Sequence, residues 1–168
     1  DAFRELLLPQ TTVLVGNHST LWRWLLPDWE SERPPGARDI ARAAHEYGVA
    51  YTLVTGIPLP EQQIDNVLAS PESVIESRHF ERFEASFSGS GDTLSAALAA
   101  LLATGEDLGA ATLEALSYLD RCLNAGFRPG MGHVLPDRLF WAQPEEEDSA
   151  EESDKATDLV DPTDPSFS

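Results

Sequence analysis

The apolar positions fall into short blocks that alternate between two periods. Phe3, Leu6 and Leu7 recur at helical spacing, so the pattern predicts a helix over 2–8 that Pro9 ends. Residues 12–15 form a short continuous apolar run, the kind buried on both faces of a parallel sheet. Asn17 follows it and can cap a short helix carrying Leu21, Trp22, Trp24 and Leu25. Residues 27–36 hold three prolines and alternating charges, and are expected to be a loop. Residues 39–47 read as an amphipathic helix with Ile40, Ala43, Ala44 and Tyr47 inward, stopped by Gly48, before a second buried strand over 49–54. A helix between two apolar strands is the signature of a βαβ crossover. A turn is expected over 58–63, then strands over 64–68 and 74–84, added to the sheet as an antiparallel edge. The second half is helical: a first helix over 93–103, apolar all round and so expected to be buried, ended by Gly105. A second helix, capped by Asp107, carries Leu108, Ala111, Leu116, Tyr118, Leu119 and Leu123, and is closed by Asn124 and Gly126. These elements predict an α/β fold without internal repeats.

Between the last strand pattern and the first of these helices lies Gly89-Ser90-Gly91-Asp92. Glycines allow a tight turn and a close approach of backbone N–H groups to a ligand. The following helix turns its positive end to the same place, which suits an anion. Asp92 at the lip is a carboxylate able to accept a proton from an attacking hydroxyl. The plainer reading of the same four residues is a turn with an acidic helix cap.

The longer stretch from Phe87 to Gly105 resembles the C-terminal signature of the ribokinase-like small-molecule kinases. It is most similar to the branch that holds the hydroxymethylpyrimidine/phosphomethylpyrimidine kinases and the pyridoxal kinases. Thr93-Leu94-Ser95-Ala96-Ala97 and Gly130-Met131-Gly132-His133-Val134 are similar to the thiamine-synthesis members, whereas the acid at Asp92 follows the pyridoxal kinase habit. Asn17 matches the Asn at which a family strand ends, and Thr20 stands where the family carries a Glu that helps organise a metal near the phosphates. Thr55-Gly56 stand where the thiamine branch reads Lys-Gly.

The resemblance implies the C-terminal portion of a ribokinase-like three-layer α/β/α sandwich over 1–144, with an ATP-dependent transfer of a phosphoryl group to the hydroxymethyl of a small heteroaromatic ring. Hydroxymethylpyrimidine or its monophosphate is the expected acceptor. Pyridoxal, or binding without turnover, is the alternative. The implied site residues are Asp92 as general base, Gly89, Ser90 and Gly91 as phosphate-binding backbone, and Asn17, Thr55 and Gly56 near nucleotide or metal. For Asn17 the competing reading is a helix cap. ATP and Mg²⁺ are the implied cofactors, and a homodimer the implied assembly. Family members are nearly twice as long as this chain, so a piece of a longer polypeptide is expected.

Charge and rare residues narrow the classes. The chain of 168 residues carries a net charge of −18, half of it in residues 145–168, where ten acids face the single Lys155. That tail has too little apolar content to order itself and is expected to be disordered. No basic cluster points to nucleic acid. The single Cys122 excludes an internal disulfide and a multi-cysteine zinc site, and is expected to be a packed thiol in a reducing cytoplasm. No run of about 18 apolar residues predicts a membrane span. His18, His45, His79 and His133 show no zinc-like spacing, and His45 is expected to face solvent. Trp22, Trp24 and Trp29 are bunched as for a core edge or a dimer contact, not a stacking ladder.

Overall fold

Strand β1 (Val13–Asn17) lies at one edge of a four-stranded sheet of order β1-β2-β3-β4. The computed structural model describes residues 2–81, 90–126 and 138–139. Helices α1 (His18–Leu25) and α2 (Ala37–His45) then carry the chain across to β2 (Tyr51–Leu59), which runs parallel to β1 with Val13 opposite Tyr51 and Asn17 opposite Thr55. This is the expected βαβ crossover. Strands β3 (Gln63–Ala69) and β4 (Val74–Glu81) follow as antiparallel additions, as the sequence pattern predicts. Helices α3 (Ser90–Ala103) and α4 (Leu108–Asn124) complete the fold.

Alternation along the strands divides the core into two clusters. Leu14, Val54, Val67 and Ala69 pack with Leu21, Leu25, Ile40 and Ala44 on the α1/α2 face. Leu53, Leu68 and Phe80 pack with Leu94, Leu98, Ala115, Leu116 and Leu119 on the α3/α4 face. Successive strand side chains point to opposite faces, so a strand apolar at every position must be covered on both. The result is a three-layer α/β/α arrangement.

Local chemistry sets the helix ends. The Asn17 side chain accepts from the Ser19 amide at 3.0 Å and opens α1. Asp107 accepts from the amides of Gly109 (3.1 Å) and Ala110 (3.3 Å) and opens α4. Two otherwise orphaned donors are satisfied by that one carboxylate. Asp107→Ala is therefore expected to destabilise the fold by about 1 kcal/mol, read as a lower urea midpoint with unchanged slope. Gly48, at φ +93°, follows α2 in a left-handed conformation that side chains disfavour.

Four expectations are corrected. Residues 2–8 do not form a regular α-helix; a wide π-type turn (Phe3–Leu7) passes into a 3₁₀ turn (Leu8–Gln10) around Pro9. Its Leu6 and Leu7 are exposed and only Leu8 is buried, so the helical spacing there does not mark a core face. Helix α2 starts two residues before the expected 39 and stops two before the expected 47. Strand β2 does not stop at Val54. It continues through Thr55, Gly56 and Pro58 to Leu59, because β3 supplies a pairing partner beyond the end of β1. Finally, α3 is not enveloped. Among the described residues Thr93, Leu94 and Leu98 are buried, while Ser95, Ala96, Ala99, Ala100 and Ala103 are exposed. Alanine favours the helix whether or not it is covered, so apolar content alone does not report burial. Strand β4 ends at Glu81; residues 82–84 of its expected span lie outside the described residues.

Candidate active site

Helix α3 begins at Ser90, so Gly91 and Asp92 occupy its first turn. Among the described residues, no heavy atom lies within 4 Å of where a Cβ on Gly91 would stand. Asp92 is exposed at the rim of a cleft of about 570 Å³ between α3 and α4. Thr93, Ala96 and Ala97 line the α3 wall, and Glu114, Tyr118 and Arg121 the α4 wall. Arg138 joins the two: its Nε donates to Thr93 Oγ1 at 2.8 Å, and its carbonyl accepts from the Tyr118 hydroxyl at 2.8 Å. A largely apolar cleft with charges of both signs at its margin is a form that small-ligand sites take.

Asn17, Thr55 and Gly56 come together at a second place, the C-terminal end of the parallel strand pair. Asn17 Oδ1 accepts from both the amide (3.0 Å) and the hydroxyl (2.9 Å) of Ser19. That oxygen is committed to capping α1, so it is not offered to a cation. The Nδ2 group is left to donate, and it lies 2.8 Å from the position a Cβ on Gly56 would take. Gly56 has φ +68°, in a bulge of β2, and Thr55 Oγ1 donates to the Gly16 carbonyl at 3.3 Å. Thr55 and Gly56 thus sit inside β2 and not at its end, although they mark where the parallel pairing stops. None of Asn17, Thr55 and Gly56 lines the α3/α4 cleft.

Gly89 and the 130–134 segment with His133 lie outside the described residues, as does the acidic tail. His18 is buried, with Nε2 2.8 Å from the Pro35 carbonyl, and His45 is exposed. Cys122 is buried, as expected of a packed thiol. Trp24 packs against the α1/α2 cluster, with the Phe3 ring edge-on at 5.4 Å, which matches a core edge. Among the described residues no three His, Cys, Asp or Glu side chains converge on a metal position, and no helix is long and apolar enough to cross a membrane. Sequence reasoning missed Arg138 and Asn66. Arg138 lies in no predicted element, and Asn66 is one polar position in an apolar strand.

The comparison with known proteins decides the lineage. Residues 1–137 match the phosphomethylpyrimidine kinase family. The chain belongs to that family. Curated protein sequences hold no significant match. Among solved structures, this phosphomethylpyrimidine kinase family member is similar to the Bacillus subtilis pyridoxal kinase in an ADP complex. That match has 24% identity and a TM-score of 0.71, and covers 84% of this chain and 53% of that one. The Staphylococcus aureus pyridoxal kinase in complex with AMP-PCP and pyridoxal has 19% identity and a TM-score of 0.71, covering 86% and 54%. A provisionally assigned phosphomethylpyrimidine kinase from Bacteroides thetaiotaomicron has 16% identity and a TM-score of 0.61, covering 83% and 51%; another crystal form of it holds pyridoxal. The family member described here therefore spans about half the length of these structures. The α/β fold expected from the sequence, a portion of the ribokinase-like sandwich, is the fold they share.

Proposed function

We propose that the polypeptide carrying this chain transfers the γ-phosphoryl group of ATP to the hydroxymethyl group of a small heteroaromatic alcohol, hydroxymethylpyrimidine or its monophosphate. The observation that carries this reading is the first turn of α3. Among the described residues nothing crowds the Cβ direction of Gly91, and its φ is not one that demands glycine. A glycine there lets a ligand approach the backbone amides closely. Asp92, one residue on, is exposed at the cleft rim and free to reach a substrate hydroxyl.

In this reading the amides of Gly89, Ser90 and Gly91 hold the transferring phosphoryl oxygens, and the helix dipole adds to their field. Asp92 accepts the proton of the attacking hydroxyl. The step needs little covalent work from the protein and depends on positioning and charge stabilisation. Asn17 Nδ2 is suited to donate to a nucleotide phosphate, with Thr55 and Gly56 shaping the surface beside it. Magnesium takes one or two carboxylates when phosphates and water supply the rest; with Asp92 assigned to the proton, the nucleotide phosphates and water would supply most of its ligands here. When bound, the ion neutralises phosphate charge. The family relationship and the nucleotide complexes of the structural neighbours support ATP as donor, and a homodimer is the assembly we adopt for the whole protein.

Turnover tests the reading. The full-length polypeptide, in a coupled ADP-release assay with hydroxymethylpyrimidine, its monophosphate and pyridoxal, is expected to act on the pyrimidines in preference to pyridoxal. Preference for pyridoxal would reassign the substrate. Tight ATP binding without turnover of any of the three would favour a non-catalytic binder, a reading motivated by Thr20 in place of an acid. Gly91→Ala separates stability from activity. It is expected to raise stability by about 0.5–1 kcal/mol while lowering kcat/KM, because its methyl group enters the phosphoryl approach.

A further inference from the structure

The bulge in β2 places two residues against one. Val54 pairs with Val67 and Ile57 with Asp65, so Thr55 and Gly56 together face Asn66. A bulge of this kind removes ladder bonds and leaves backbone groups in need of other partners. Asn66 meets that need. It is 3% exposed, its Oδ1 accepts from the Gly56 amide at 3.2 Å, and its Nδ2 donates to the Arg78 carbonyl on β4 at 3.2 Å. The two partners fix the amide's orientation, since one offers only a hydrogen and the other only an oxygen. The neighbouring core positions of β3 are Val67 and Leu68, but an apolar residue at 66 would take this partner away from the Gly56 amide and the Arg78 carbonyl. The polar side chain is explained by the bulge it holds.

We propose that Asn66 is a positioning residue for the nucleotide. It locks Gly56 in its left-handed conformation, and the bare Cα of Gly56 in turn leaves Asn17 Nδ2 its place at the end of β1. The link runs from the edge strand β4 through Asn66 and Gly56 to the cap of α1. This rests on the reading of Asn17 as a phosphate donor given above, and extends it to a residue that touches neither nucleotide nor acceptor.

The test is Asn66→Leu in the full-length polypeptide, with Asn66→Ser as a second variant should the leucine form not fold. Serine keeps a hydroxyl too short to span both partners. Ile40→Val, a core change in α2 on the opposite face of the sheet from α3 and α4, controls for general loosening. The Asn66 variants are expected to raise KM for ATP about tenfold and to leave KM for the alcohol within about threefold. Amide exchange at Gly56 is expected to quicken at least tenfold, and the Asn17 side-chain amide resonances to shift. Ile40→Val is expected to change none of these. Faster exchange at Gly56 with unchanged ATP affinity would overturn the positioning role and leave the kinase reading intact. Unchanged exchange at Gly56 would overturn it as well. A wild-type polypeptide that neither binds ATP nor releases ADP would remove the kinase reading first, and this inference with it.

Discussion

Replacing Asp92 with asparagine is expected to lower kcat by about 10²–10⁴-fold, the usual contribution of a positioned general base. The change is nearly isosteric, and the side chain is exposed in the first turn of α3, so the fold loses little. Asparagine is also acceptable near a helix start, although it forfeits the favourable interaction of a negative charge with the helix dipole. ATP affinity is therefore expected to stay within about threefold, and the melting temperature close to that of the parent. ADP release under saturating ATP measures the first quantity and calorimetric titration the second. Full activity in the variant would remove Asp92 from the proton transfer, whatever the status of the glycines before it. Loss of ATP binding in step with kcat would instead assign the carboxylate to the nucleotide or its metal.

The second large effect is expected at Gly56. A valine there meets two penalties. The backbone has φ +68°, which a β-branched residue adopts only under strain of about 1–3 kcal/mol. Its Cβ would also stand 2.8 Å from Asn17 Nδ2, so that side chain must swing aside and give up its cap on α1, which costs about 1 kcal/mol. Gly56→Val should thus lose about 2–4 kcal/mol in denaturant unfolding. Because the clash falls on Asn17, ATP affinity is expected to fall at temperatures where the variant is still folded. Gly56→Ala keeps the clash and carries less of the backbone strain, so its affinity loss should resemble valine's more closely than its stability loss does. A variant pair in which both quantities stay at the parent's level would show that the left-handed bulge is not required.

How far the sequence carried the reading differs from element to element. The two buried strands, the crossover and the antiparallel edge were legible because continuous apolar runs and alternation report directly on which faces need cover. The caps at Asn17 and Asp107 were legible because side-chain capping is a local interaction of two or three residues. That Gly91 and Asp92 stand at the head of a helix was legible for the same reason: the glycine run, the acid and the helix that follows are contiguous. The extent of β2 was not, since its last residues are strand only by virtue of pairing with β3. The exposed alanine face of α3 was not, because alanine fits both a core and a surface helix. Arg138, which bonds Thr93 across 45 positions, and Asn66, which bonds Gly56 across ten, carry no local signature at all. The chain by itself thus determined the layered α/β plan and the short motif at the head of α3. Only tertiary packing decided what surrounds that motif and which polar side chains hold the strand ends, because those bonds join residues far apart in sequence whose partners exist only once the sheet has closed.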